Sequence, residues 1–178
     1  VVWSGDRGSI ATGSPTGELC VWKSGSWQKT SSVKLAGAVL AATWSPDGRS
    51  VLAVDEKDIG LIDAGTGQLK RSTPMRHGSR ASAGQFSPDG SYVAFCDLGG
   101  IVRVAETVSG RVRRMLTILP GNQFMVVNED GHFSGSPGVE KELVYVVLTD
   151  TGTQITLTPE EFSKHYGWKN DPAKGKTP

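Results

Sequence analysis

The chain has 178 residues, 37% hydrophobic and 21% charged, which suits a folded core and argues against a disordered polymer. Nineteen Lys plus Arg stand against eighteen Asp plus Glu, and this near-balance argues against the one-signed surface of a general nucleic-acid binder. No apolar run approaches the roughly 20 residues that span a bilayer, and no signal peptide is visible, so the expected setting is cytoplasmic, without membrane contact. Cys20 and Cys96 each lie in an apolar run. They are too few for a disulfide scaffold and too far apart for a zinc site, and read as small buried hydrophobes, with a bridge between them left open.

In chain order, the first feature is a repeat. A degenerate turn runs from Asp6 to Gly8, Ser45-Pro46-Asp47-Gly48 returns as Ser87-Pro88-Asp89-Gly90, and Asn128-Glu129-Asp130-Gly131 is a weaker copy. Gly8, Gly48, Gly90 and Gly131 are spaced by 40, 42 and 41 residues. An aromatic precedes the turn at Trp3, Trp44 and Phe86, with Phe124 slightly displaced. Asp47, Gly48, Asp89, Gly90, Asp130 and Gly131 are therefore turn residues: Asp accepts local backbone hydrogen bonds and Gly accepts positive φ.

Between these turns the pattern is one of short strands. The chain opens in a first strand at Val1, and a third strand ends near Val21-Trp22. Val39 to Trp44, Val51 to Val54, Ile59 to Ile62 and the more polar Gln68 to Thr73 make four strands in the next copy. Ala83 to Phe86, Tyr92 to Phe95, Ile101 to Val104 and Arg111 to Leu116 repeat them. After residue 123 come Gln123 to Val127, a Gly-Ser-Pro-Gly turn, Glu142 to Leu148 and Gln154 to Leu157. Thr158-Pro159-Glu160-Glu161 then opens a helix with an N-cap Thr, Pro at its first position and a capping-box Glu. A four-stranded unit every ~40–45 residues is the period of a propeller blade, because one small sheet cannot bury both faces alone. The fold expected is all-β: about three four-stranded β-propeller blades, then an irregular final unit with a short C-terminal helix. The divisions are 1–122 for the blades, 123–168 for the divergent unit and 169–178 for a flexible tail.

Ser-Pro-Asp-Gly after an aromatic, with a third strand ending at Val21-Trp22, resembles the WD-repeat family over roughly residues 1–118. The Trp-Asp pair that closes the family's third strand is replaced by Trp22-Lys23, Ile62-Asp63 and Val104-Ala105. Its Gly-His survives at best as Arg76-His77, and its turn Asp corresponds to Asp97, less closely to Asp55 or Asp58. The tail, with Gly-Ser-Pro-Gly and a Glu-Phe…Tyr-Gly-Trp helix, is similar to the ends of long WD-repeat proteins of planctomycete-type bacteria. The resemblance implies the C-terminal part of a larger propeller, acting as a protein-interaction scaffold that self-associates if its ring is incomplete. The alternative is a lactonase-like or small-ligand-binding propeller enzyme.

Chemistry is thinly represented. His77, His132 and His165 form no ligand pair, so no metal site is expected. Ser134-Gly135-Ser136-Pro137-Gly138 lacks the spacing and the following helix of a nucleophile elbow. Gly65-Thr66-Gly67 and Gly99-Gly100 precede no helix and carry no P-loop Lys. No catalytic residue and no cofactor are expected. The one charge bias with binding potential is Arg71, Arg76, His77 and Arg80, on the link between two copies, which would meet an acidic protein segment; Arg111, Arg113 and Arg114 form a second.

Overall fold

A computed structural model describes residues 1–74, 81–97 and 99–175. The protein is all-β in character, and it divides into two units, Val1–Arg113 and Arg114–Pro178. In the first unit the strands form antiparallel meanders that run in chain order. The first sheet is β1 (Val2–Trp3), β2 (Ser9–Gly13), β3 (Glu18–Lys23) and β4 (Lys29–Lys34). The second is β5 (Val39–Trp44), β6 (Ser50–Asp55), β7 (Asp58–Asp63) and β8 (Leu69–Pro74). The third begins with β9 (Ala81–Phe86), β10 (Tyr92–Asp97) and β11 (Ile101–Glu106), and β12 (Val112–Leu119) starts at the end of this unit. Among the described residues no sheet closes on itself.

The second sheet explains why the sheets stack. Every residue of β6 is buried, whereas a strand with one wet face would alternate. Val51 and Ala53 pack with Ala11, Leu19 and Val21 of the first sheet. Leu52 and Val54 point the other way and pack with Phe86, Val93 and Phe95 of the third. Each buried Val or Leu here contributes about 1.5–3 kcal/mol, so β6 anchors both neighbours at once. Gly84 lets β9 close in on β6, since a Cβ there would lie 2.8 Å from Leu52 Cδ2.

The second unit is built differently. β12 zips onto β13 (Gln123–Asn128), from Leu119 opposite Gln123 back to Arg114 opposite Asn128. That hairpin moves the boundary to 113/114, upstream of the expected 122/123. β14 (Phe133–Gly135) pairs with β13, and β15 (Tyr145–Leu148) pairs with β16 (Gln154–Leu157) in a separate hairpin. Helix α1 (Pro159–Tyr166) starts with the full capping box between Thr158 and Glu161 and stops at Gly167, in the left-handed region. The stretch read as a flexible tail is packed through Gly175. Asn170 accepts the Phe133 N–H at 2.8 Å and donates to the Phe133 carbonyl at 3.0 Å, occupying the edge of β14 as a further strand would. Asp171 N–H donates to His132 Nδ1 at 3.0 Å, and the short helix α2 (Pro172–Gly175) ends with Gly175 against the Phe133 backbone.

The turns entering each second strand share one hydrogen-bond pattern. Ser4, Ser45 and Ser87 each donate their hydroxyl at 2.6 Å to the Asp two residues on. The same hydroxyls accept the backbone N–H five residues on, from Ser9, Ser50 and Tyr92, at 2.9 Å. The residue after each Asp takes positive φ: Arg7 at 60°, Gly48 at 67° and Gly90 at 75°. The first copy is therefore marked by Arg7 and not by Gly8 as the glycine spacing suggests, and the true steps, Ser4 to Ser45 to Ser87, are 41 and 42. In the second unit Asn128 replaces the Ser, its Oδ1 accepting from Asp130 and His132 N–H, with Gly131 at φ 82°. Arg7 bears a left-handed conformation that its two counterparts give to glycine. Arg7→Gly should raise unfolding stability by about 0.5–1 kcal/mol, read as a higher urea midpoint with unchanged slope.

Candidate functional site

Arg71 lies on β8, and the structure engages it within the frame. Its guanidinium donates to the carbonyls of Ser109 at 2.8 Å and Val108 at 2.5 Å, fastening the second sheet to the turn that follows β11. Gly110 allows this approach, because a Cβ there would lie 2.8 Å from Arg71 Cδ. Arg76, His77 and Arg80, the rest of the expected basic link, lie outside the described residues. Of the second basic group, Arg113 donates to Glu106 Oε1 through Nε at 2.8 Å and Nη2 at 2.6 Å, while Arg114 falls in the second unit.

The acidic residues are committed in the same way. Asp47 is held below the usual carboxylate range by the Ser45 hydroxyl, then by the Arg49 N–H. Asp6 is lowered by Ser4 and the Gly8 N–H, and Asp89 is brought to about 2 by the Ser87 and Ser91 hydroxyls. Asp63 is lowered chiefly by the Lys70 ammonium 2.9 Å away, and by Thr66. Burial pushes the Asp97 carboxyl upward, but its hydrogen bonds from the Arg103 guanidinium and the Ile101 N–H outweigh this and leave it lowered. Among the described residues no group of three or more His, Cys, Asp or Glu is placed to hold a metal ion. Cys20 and Cys96 are both free thiols, and burial raises the pKa of Cys20.

In the second unit His132 stacks on Trp168 with centroids 5.0 Å apart, and Tyr145 stacks on Phe162 at 4.4 Å. Tyr145 donates its hydroxyl to the Gly131 carbonyl at 3.1 Å, and burial pushes its pKa up to about 12. His132 offers Nδ1 to a main-chain N–H, which makes it a structural acceptor for the C-terminal segment. The Gly135-Ser136-Pro137-Gly138 loop holds the Ser136 hydroxyl as acceptor of the Phe124 N–H at 3.1 Å.

Two concavities of the first unit bear on binding. One, between the second and third sheets, has a volume of about 30 Å³, room for a single water and not for a substrate. The other is an open groove of about 450 Å³ that crosses equivalent positions of all three sheets. Val2, Thr43 and Gln85 form one row and Trp3, Trp44 and Phe86 the next, with Pro46 and Pro88 at the turns. Trp44 Nε1 donates across to the Val2 carbonyl at 3.1 Å, and Thr43 Oγ1 lies 3.4 Å from Gln85 Oε1. The aromatic before each turn was visible in the sequence; that these aromatics mark one face of each sheet was not.

No protein-family model matches this chain, and no curated protein matches it. No helix among the described residues is long and apolar enough to cross a membrane.

Two outcomes follow. The turn carboxylates are lowered in the folded state, so their stabilisation is complete above the unfolded value near pH 4 and is lost at lower pH, for Asp89 as pH falls through about 2. Urea midpoints measured from pH 5 to about 2 should fall, and the double variant Asp47→Asn, Asp89→Asn should flatten that limb. Arg71→Ala should cost about 1 kcal/mol of stability through the two lost main-chain bonds, measured by thermal unfolding.

Proposed function

We propose that the three stacked meanders are blades of a WD-type β-propeller, and that the chain is a non-catalytic protein-interaction scaffold. One observation carries this reading. Three sheets repeat the same side-chain roles position by position, at a step of 41 and 42 residues, so the unit is a rigid frame whose turns and faces recur in register. Such a frame displays surface without converging on a reactive centre. The carboxylates of Asp6, Asp47 and Asp89 accept turn hydrogen bonds, and those of Asp63, Asp97 and Glu106 are paired with Lys70, Arg103 and Arg113. Carboxylates lowered and held by turn N–H groups, hydroxyls and cations are weak bases already committed to structural bonds, which favours a structural role for them.

The reading is checked by photo-crosslinking the chain to proteins in a bacterial extract and mapping the linked peptides. Crosslinks should gather on the turns and sheet faces of residues 1–113, and a panel of lactone and ester substrates should show no turnover above buffer. Saturable turnover abolished by replacing one side chain would overturn the scaffold reading in favour of an enzyme.

A further inference from the structure

The repeats allow a buried charge in one sheet to be compared with its counterparts in the others. Asp97 closes β10 and is 4% exposed. Its Oδ1 accepts the Ile101 N–H at 3.1 Å, and its Oδ2 pairs with the guanidinium of Arg103, which lies opposite Phe95 in the ladder. The third sheet thus supplies its buried carboxylate with both a main-chain donor and a cation. Register fixes the equivalents, since Trp44 opposite Val51 matches Phe86 opposite Val93. In the second sheet Asp55 takes the place of Asp97, and Gly60, opposite Ala53, takes the place of Arg103. In the first sheet these places hold Ser14 and Cys20, so the carboxylate itself is missing.

The second sheet therefore keeps the carboxylate and drops the cation. Asp55 is 3% exposed, and its Oδ1 accepts the N–H groups of Lys57 at 2.7 Å and Asp58 at 2.8 Å. Among the described residues, Oδ2 accepts no hydrogen bond and enters no ion pair. Nor is it sealed in the interior. Thr107 Oγ1 is the one fully buried side-chain nitrogen or oxygen without a partner among the described residues, so Asp55 Oδ2 meets open space. That space is a cavity of about 320 Å³, bounded by Asp55, Asp58, Gly60, Leu69, Ser72 and the 34–36 segment. Every lining residue falls within the first unit, where the first and second sheets meet.

The walls of the cavity narrow what it can take. Asp58 is half-buried and brings a second carboxylate, to which no side-chain bond is made among the described residues. Lys34 borders the cavity, but its ammonium donates to the Thr16 carbonyl. Leu35 and Leu69 give the cavity an apolar side. Two carboxylates are too few ligands for a hard metal ion, and no group of three or more His, Cys, Asp or Glu gathers among the described residues. A planar cation on an apolar stem satisfies both parts, since a guanidinium forks across two carboxylates and is more weakly hydrated than an ammonium. The volume lies at the small end of ligand sites and admits one long side chain.

We propose that this cavity binds an arginine side chain of another protein, its guanidinium donating to Asp55 Oδ2 and the Asp58 carboxylate and its stem lying against Leu35 and Leu69. The bound arginine does from outside what Arg103 does for Asp97 within the third sheet. Gly60 makes the site, because a side chain there would fill the place where the guanidinium enters. This deepens the scaffold reading, on which it rests, by naming one site and the chemistry it selects.

Calorimetric titration of the full chain with a tripeptide, acetyl-Ala-Arg-Ala-amide, tests this. The same peptide with lysine should bind roughly three- to tenfold more weakly, and with neutral citrulline it should not bind. In a nitrogen-15-labelled chain the arginine peptide should shift the amide resonances of Lys57 and Asp58, which donate to Asp55. Asp55→Asn keeps the turn acceptor, removes the charge and should weaken binding by about tenfold or more. Gly60→Arg brings the cation into the chain and should abolish binding; its Cβ would lie 3.1 Å from Leu69 Cδ1, the movable end of a side chain. Circular dichroism and melting temperature show which variants are folded, and Asp58→Asn carries the test where Asp55→Asn is not. Wild type that ignores the arginine peptide up to about 10 mM, equal binding of the citrulline peptide, or folded Asp and Gly60 variants that bind as wild type does would each overturn the proposal. Binding that appears only after Arg76, His77 and Arg80 are replaced by Gln would assign the cavity to a cation of the chain itself and overturn it too. A chain that binds no arginine peptide yet crosslinks to other proteins would overturn this site alone and leave the scaffold reading standing.

Discussion

The first unit depends on the burial of β6 on both faces. A six-residue strand with alternating side chains sends Val51 and Ala53 one way and Leu52 and Val54 the other, and each set needs a sheet to cover it. No single meander meets that need, because an isolated four-stranded sheet leaves one apolar face in water. Stability in such an array is shared between neighbouring sheets.

The turns hold this arrangement in register. Each Ser hydroxyl links its Asp to a backbone N–H on the next strand, fixing where the second strand starts and therefore which side chains face which neighbour. A slip by one residue would turn Val51 and Ala53 away from the first sheet and set Leu52 and Val54 against it. The acidic residues of the repeat are thus structural, and their lowered pKa values are a consequence of closing turns. A second tier of bonds supports the first: Ser24, Ala64 and Thr107 donate N–H groups to the carbonyls of Gly8, Arg49 and Ser91, binding one turn of each sheet to another at the same end.

The second unit solves the edge problem by other means. β14 is short, and its free edge is taken by the side chain of Asn170, which imitates a strand with one donor and one acceptor. The aromatic cluster of His132, Tyr145, Phe162 and Trp168 brings that side chain into place, joining the hairpin, α1 and the segment after it. The helix cap was legible from Thr158, Pro159 and Glu161 because capping uses adjacent residues. The docking of 170–175 was not, since its partners lie some 37–46 residues upstream.

The sequence by itself determined the all-β character, the repeat, the Ser-Pro-Asp-Gly turns and the helix start, because each rests on chemistry between residues a few positions apart. It misplaced the first repeat by one residue, since Arg7 adopts a backbone conformation that glycine normally marks. It offered Arg71 as a binding residue, but the tertiary structure gives that guanidinium two carbonyls from a turn 37–38 residues away. Which face of each sheet is covered, where the two units divide and which charges are engaged were decided only by tertiary structure, because burial and pairing depend on segments that approach one another after the chain has folded.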